Sequence, residues 1–244
     1  MLYFPQPSQF PCRKRVVQRT VVNEDAGGGR VKLFDPGACR VEWEMELRGL
    51  ALPEWEAIDD LFESVEGRLG SFGFVDPFGN LLRWSEELGA AVWAKEAGVQ
   101  LTGGVADPFG GVRATRISGT GRVTQTVTVP GWFQYCVSAY VRGTVTLSAG
   151  TASAVFPATG GWRRVEWTVM PGTQAEAVTF GIAGAGAEVY GLQVEGQVGA
   201  SSYKKTTTVG GFFGNAYFLD DELRMTSNSL GEFSCRVRVG ANAS

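Results

Sequence analysis

Apolar and polar side chains alternate from Cys39 to Leu47, with Cys39, Val41, Trp43, Met45 and Leu47 on one side and Arg40, Glu42, Glu44 and Glu46 on the other. A period of two over nine residues predicts a strand with one buried face. Upstream, Arg13–Val22 reads as a strand with a basic lead-in, 23–29 as a polar, glycine-rich turn, and Arg30–Phe34 as the returning strand. This predicts a hairpin, closed off by Asp35-Pro36-Gly37 before the alternating strand begins. From Pro53 to Glu66 the period becomes helical: Trp55, Ile58, Leu61, Phe62 and Val65 form one apolar stripe, with Asp59, Asp60, Glu63 and Glu66 mostly opposite. Pro53 suits a first turn, Glu54 and Glu56 suit the positive end of the helix dipole, and Gly67 can close the helix in the left-handed conformation.

A short strand through Phe72-Gly73-Phe74-Val75 stops at Pro77, and the pattern then changes character. From Asn80 to about Tyr203 the chain is rich in Gly, Thr and Val, with short β-type runs at Val112–Ile117, Arg122–Val129, Tyr135–Val141, Thr144–Ser148, Arg163–Val169, Ala177–Ile182 and Glu188–Val194. Seven or eight short strands at this spacing predict a sandwich or jelly roll. Charge returns at Lys204-Lys205 and Asp220-Asp221-Glu222. Ala216–Leu219 with Leu223–Thr226 reads as a further hairpin, and Glu232–Val239 as an alternating strand whose candidate partner is Cys39–Leu47. The fold class expected is therefore mainly β: a β-sandwich domain with one α-helix, at 1–79 (helix 53–66) and 207–244, interrupted by an inserted jelly roll at 80–206.

Composition narrows the chemistry. The 244 residues include 34 Gly without a fixed period, which fits many tight turns and not collagen. Histidine is absent, removing the commonest general base, the commonest zinc ligand and the Ser-His and Cys-His nucleophile systems. A formal charge of -3 without a basic field argues against nucleic-acid binding. No long apolar run predicts membrane insertion, and the start Met-Leu-Tyr-Phe-Pro-Gln-Pro lacks a signal-peptide pattern, so synthesis in the cytoplasm is expected. Cys12, Cys39, Cys136 and Cys235 include no CxxC pair and read as buried free thiols, with a Cys12–Cys39 or Cys39–Cys235 bridge as the alternative. No cofactor is expected.

Two resemblances follow from these residues. The phrase Asn80-Leu81-Leu82-Arg83-Trp84-Ser85-Glu86 with Trp93, then Arg116-Ile117, Val123–Val127, Val137–Arg142 and Gly191–Glu195 with Ser202-Tyr203, resembles the carbohydrate-binding-module-like jelly rolls of phage tail and tail-fibre proteins. The outer parts resemble distal tail or minor tail proteins of siphophage-type tails and gene transfer agents. That likeness rests on the strand through Trp43, the helix through Leu61-Phe62, Gly67-Arg68, and Phe72-Gly73-Phe74 ending at Asp76-Pro77. The resemblance implies a non-enzymatic virion component that forms a homo-oligomeric ring, a hexamer, between tail tube and baseplate or tip, contacting tail tube and tail hub proteins. Fold-level likeness does not by itself give function.

Candidate sites follow from residue type. Trp132, Phe133 and Trp162 stand near turns, where flat rings can stack on a sugar face or serve the core. The basic run Arg13, Lys14, Arg15 and Arg19 and the acidic helix face of Asp59, Asp60, Glu63 and Glu66 could pair between neighbours in a ring, or be two separate solvated faces. Asp107 and Glu195 are the residues a calcium site would use, although no dense oxygen cluster surrounds them in sequence. The alternative function is carbohydrate binding at a cell surface. A glycoside hydrolase would need a carboxylate pair that no motif nominates.

Overall fold

The computed structural model describes residues 1–6, 11–24 and 27–242, and the backbone alone for 19–24, 30–38 and 228. The chain divides into two compact units, one of Met1–Phe74 with Phe213–Ser244 and one of Val75–Phe212.

Among the described residues, the first unit is a six-stranded sheet with one helix. Strand β1 (Cys12–Glu24) pairs antiparallel with β2 (Arg30–Leu50), so the expected hairpin forms. Asp35-Pro36-Gly37 does not end a strand, however: β2 runs through it as one 21-residue element, and the register with β1 shifts between Val17 and Arg19. Proline cannot donate to the ladder, and the chain absorbs it as an irregularity instead of turning. The helix α1 (Leu52–Ser64) begins with Glu54 Oε2 accepting from the Ala51 N–H (2.8 Å), and buries Trp55, Ile58 and Leu61. It ends as the sequence predicts, with Gly67 at φ 63° and its N–H donating to the Phe62 carbonyl at 2.9 Å.

Strands β3 (Phe72–Val75), β14 (Phe212–Phe218), β15 (Met225–Ser229) and β16 (Glu232–Asn242) complete this sheet, in the order β1-β2-β16-β14-β3 with β15 on β16. The two alternating strands are partners, as their patterns predict: Cys235 faces Leu47, Val237 faces Met45 and Val239 faces Trp43, all buried. The expected hairpin of Ala216–Leu219 with Leu223–Thr226 is not formed, because β14 and β15 each pair with β16 instead. β2 takes one backbone edge of β16, and β14 and β15 take successive stretches of the other, at Val239-Gly240 and Glu232–Cys235, which leaves neither edge of β16 unpaired there. Trp43 packs at 4.8 Å from Phe74 and 4.9 Å from Phe213, and Phe218 at 4.8 Å from Phe72 and 5.0 Å from Phe62. Neither alternative disulfide exists: Cys12 is opposite Met45 and Cys235 opposite Leu47, six and eight residues along β2 from Cys39.

The second unit is a jelly-roll sandwich of two five-stranded antiparallel sheets. One contains β10 (Ala152–Phe156), β9 (Val145–Ala149), β12 (Val178–Ala183), β7 (Arg122–Val127) and β4 (Ala94–Lys95), in that order. The other runs β11 (Arg163–Val169), β8 (Tyr135–Arg142), β13 (Ala187–Glu195), β6 (Ala114–Ser118) and β5 (Gln100–Val105). Val123, Leu147, Phe180 and Ile182 from the first and Ile117, Val137, Val141 and Val189 from the second are buried in the core. The sequence pattern identifies seven of these strands and misses β4, β5 and β10, which lie at sheet edges or carry small residues and little apolar alternation.

One irregularity sets up the outer face of the second sheet. On β13 the register against β8 shifts between Tyr190 and Gln193, and Gly191 in the shift has φ 63°. The extra residue reverses the phase of the strand. Glu188 and Tyr190 before it share the sheet's outer side with Gln193 and Glu195 after it, while Val189, Leu192 and Val194 face the core.

Candidate functional site

Register places a band of polar and aromatic side chains across that outer face. Arg116 on β6 is opposite Glu188 on β13, Glu188 is opposite Arg142 on β8, and Trp162 immediately precedes β11 at the same level. In the next row Tyr190 is opposite Tyr140, and Tyr140 opposite Arg164. Alternation guarantees that these residues share one side while Val141, Val165 and Val189 take the other.

The band divides into a closed and an open half. In the closed half, Gln193 and Glu195 are buried under the 201–204 segment: the Lys204 N–H donates to Gln193 Oε1 (2.7 Å), Gln193 Nε2 to Glu195 Oε2 (2.7 Å), and Lys204 Nζ to Glu195 Oε1 (2.8 Å). Tyr203 Oη hydrogen bonds Ser85 Oγ at 2.8 Å, which ties the same segment to the chain after Asn80. The open half holds Phe109, Tyr140, Trp162, Arg116, Arg142 and Arg164. Phe109 is 62% exposed and stands edge-on to Tyr140, with ring centres 5.2 Å apart. Three guanidinium groups lie over aromatic rings, Arg113 over Tyr190 at 4.9 Å, Arg142 over Trp162 at 5.5 Å and Arg164 over Tyr140 at 5.5 Å.

Carboxylates underneath hold the cations in place. Glu188 is buried and accepts from Arg116 Nη2 (2.6 Å) and Arg142 Nε (2.5 Å). Burial alone would raise its pKa, but the two arginines outweigh burial and lower it. Glu86 is likewise buried, accepts from Tyr190 Oη (2.7 Å) and Lys205 Nζ (2.9 Å), and is also held below the usual carboxylate range against its own burial. Burial and the hydrogen bond to Glu86 push the Tyr190 phenol up. Beside β5 a cleft of about 460 Å³ opens between Glu86, Leu88, Gly104, Arg113, Thr115 and Lys205.

The Asp-Pro-Phe-Gly turns at Asp76–Gly79 and Asp107–Gly110 share one hydrogen bond and differ at the glycine, where only Gly110 has a positive φ (85°). In each the aspartate Oδ1 accepts from the phenylalanine N–H, at 2.9 Å for Phe78 and 2.8 Å for Phe109. Asp107 also takes Arg113 Nε (2.9 Å) and the Gly111 N–H (3.2 Å), and chiefly the Arg113 bond lowers its pKa to about 2. Asp107 is thus a turn anchor that presents Phe109 and Arg113. Glu195 is bonded elsewhere on the sheet, and among the described residues no group of acidic, Cys or His side chains could hold a metal ion.

The structure separates the three aromatic residues singled out from sequence. Trp162 belongs to the open half. Trp132 and Phe133 precede β8 at its other end, so the eight residues of that strand, roughly 25 Å, separate them from Trp162. Phe133 is buried at 7% exposure, its ring 6.1 Å from Trp132, so it serves the core and not a sugar face. Phe109, Tyr140, Tyr190 and the arginines were missed. Tyr140 and Arg142 alone carry a sequence signal, the polar phase of β8 (Ser138, Tyr140, Arg142) set against Val137, Ala139 and Val141.

In the first unit the basic run is largely paired within its own sheet. Arg13 Nη1 lies 3.3 Å from Glu44 Oε1, Arg15 Nε donates to Glu42 Oε2 (3.1 Å), and Lys14 Nζ sits 5.7 Å from the Trp43 ring centre. The Arg19 side chain is outside the described residues. Asp60 and Glu63 on α1 and Glu66 just after it are exposed, Asp59 is half-buried, and among the described residues none of the four makes an ion pair. No helix among the described residues is long and apolar enough to cross a membrane. Cys136 and Cys235 are buried thiols whose pKa burial raises to about 11.

No family model and no curated protein matches the chain. Among solved structures, the tailspike protein 4 enzymatically active domain of bacteriophage CBA120 is 14% identical with a TM-score of 0.40, covering 50% of this chain and 22% of that one. TmCBM61 in complex with beta-1,4-galactotriose is 14% identical with a TM-score of 0.37, covering 47% and 97%. The carbohydrate binding module CBM6cm-2 from Cellvibrio mixtus lichenase 5A, in complex with cellotriose, is 17% identical with a TM-score of 0.35, covering 48% and 97%.

Proposed function

We propose that the jelly-roll unit is a non-catalytic glycan-binding module and that the open half of its outer face is the binding surface. The observation that carries this reading is the aromatic and charged band of Phe109, Tyr140, Trp162, Arg116, Arg142 and Arg164 on the outer side of a sheet whose inner side is core. Sugar rings have apolar faces and hydroxyl edges, so they suit rings flanked by fixed donors and acceptors. Glu188 fixes two of those donors. Tyr140→Ala is expected to weaken binding on a glycan array or in affinity electrophoresis by about 2 kcal/mol, roughly thirtyfold. Trp132→Ala, at the far end of β8, should leave binding unchanged. If Trp132→Ala abolishes binding and Tyr140→Ala does not, the surface is wrongly placed.

A second reading concerns the first unit, and with it the whole chain: a phage-like tail component in a virion, assembled as a ring next to tail tube and hub proteins. Beyond the resemblance of the flanking segments, it is supported by β1, a 13-residue strand at the sheet edge with Val16 exposed, and by the acidic face of α1 without ion pairs among the described residues. Long edge strands are templates for pairing with another chain. Because Arg13 and Arg15 already meet Glu44 and Glu42, the edge itself is a better candidate contact than the basic run. A proline at Val16 is expected to abolish oligomers seen by sedimentation velocity at high protein concentration. Rings that persist in that variant would remove β1 from the contact.

A further inference from the structure

We propose that the glycan taken by the open face is anionic, carrying carboxylate or sulfate groups; this rests on the glycan-binding reading and specifies its substrate class. The face presents five cations, Arg113, Arg116, Arg142, Arg164 and Lys205, against four carboxylates, of which Glu86, Asp107 and Glu188 are buried and Glu166 is exposed. The Arg116 and Arg142 side chains are 53% and 44% exposed, whereas the Glu188 side chain between them is 4% exposed. Glu86 and Asp107 are buried in the same way beneath Arg113 and Lys205. A ligand arriving from solvent therefore meets guanidinium and ammonium groups with three of the four counter-charges behind them, and Glu166 as the one carboxylate at the surface. The chain as a whole is acidic, at -3, so this surface runs against its average.

The stacking geometry points the same way. A neutral sugar would lie flat on an open ring, but Arg164 covers one face of Tyr140 and Arg142 one face of Trp162. A guanidinium held flat on a ring keeps its planar fork of donors at a fixed angle and loses little freedom on binding an oxyanion. Arg164 donates to Ser138 Oγ (3.0 Å), and among the described residues it has no carboxylate partner. Glu188 spreads one negative charge over two arginines. The exposed Phe109 ring remains for the apolar side of a sugar.

The test uses the full chain against polygalacturonate, alginate and carrageenan, each beside its methyl-esterified or desulfated form, in affinity electrophoresis and calorimetry. At least one acidic polymer should bind, at least tenfold more tightly than its neutralised form, with affinity falling as salt rises. Arg164→Gln should lose at least fivefold on the acidic polymer with an unchanged melting temperature, and Arg164→Lys should lose less. Equal binding to acidic and neutralised forms, or binding confined to neutral β-glucans, overturns the anionic assignment and leaves the glycan-binding reading standing. Absence of binding to every polymer here and on a broad glycan array overturns both.

Discussion

Replacing Asn80 by alanine is expected to destabilise the jelly-roll unit by about 3–5 kcal/mol, the largest loss we expect from any single polar side chain in the protein. Asn80 is 1% exposed and uses all of its side-chain hydrogen-bonding capacity. Nδ2 donates to the Leu192 carbonyl (3.1 Å) and the Lys204 carbonyl (3.2 Å), and Oδ1 accepts from the Leu82 and Val194 N–H groups, both at 3.1 Å. The amide thereby ties together the start of the unit, its central strand β13 and its closing segment. Alanine would leave two carbonyls and two N–H groups without these partners, and each buried orphan costs about 1–3 kcal/mol, reduced where water can enter. Asn80→Asp keeps the shape but sets a buried carboxylate oxygen against the Leu192 and Lys204 carbonyls, and at neutral pH should lose at least as much as alanine. Urea unfolding followed by tryptophan fluorescence measures this. A loss under about 1 kcal/mol for Asn80→Ala would mean that the segments are held by other contacts.

Asn80 also shows which features can be read from residues alone. It opens the phrase Asn80–Glu86 that marks the change of pattern, and a polar residue at the head of an apolar run is visible in sequence. What it bonds is not visible, because its partners lie 112 and 124 residues away. The helix and the pairing of Cys39–Leu47 with Glu232–Val239 were legible because periodicity and burial agree there. Edge strands such as β5 were not, because one bonded side and little burial leave no apolar alternation.

The candidate surface was hidden for a different reason. Its residues come from β6, β8, β11 and β13, and the bulge at Gly191 moves Glu188 and Tyr190 onto the same face as Gln193 and Glu195. Simple alternation puts these pairs on opposite sides. Aromatic residues near turns drew attention to Trp132 and Phe133, whereas Tyr140 and Tyr190 sit in mid-strand, where an aromatic residue ordinarily reads as core. Only cross-strand register brings Glu188 between Arg116 and Arg142. Long-range pairing of this kind has no local signature.

Gly210→Ala is expected to cost about 3 kcal/mol, with Gly211→Ala close behind, although neither position needs an unusual backbone conformation. The cause is backbone meeting backbone where the chain enters and leaves the jelly roll. The Asp76 N–H donates to the Gly211 carbonyl and the Gly211 N–H to the Asn80 carbonyl, both at 2.8 Å, which draws the incoming and outgoing segments together. A Cβ on Gly210 would lie 2.4 Å from the Leu81 carbonyl oxygen, and one on Gly211 would lie 2.9 Å from the Gly79 Cα. Neither obstacle is a side chain that can swing away, so the two segments must separate and stretch those hydrogen bonds. Gly199→Ala, with nothing within 4 Å of the added carbon, is the control and should be within about 0.5 kcal/mol of wild type. Thermal unfolding of the three variants decides the matter. If Gly210→Ala melts with the control, the segments are not in contact in solution, and the closure of the module must come from Asn80 and the 201–204 cover alone.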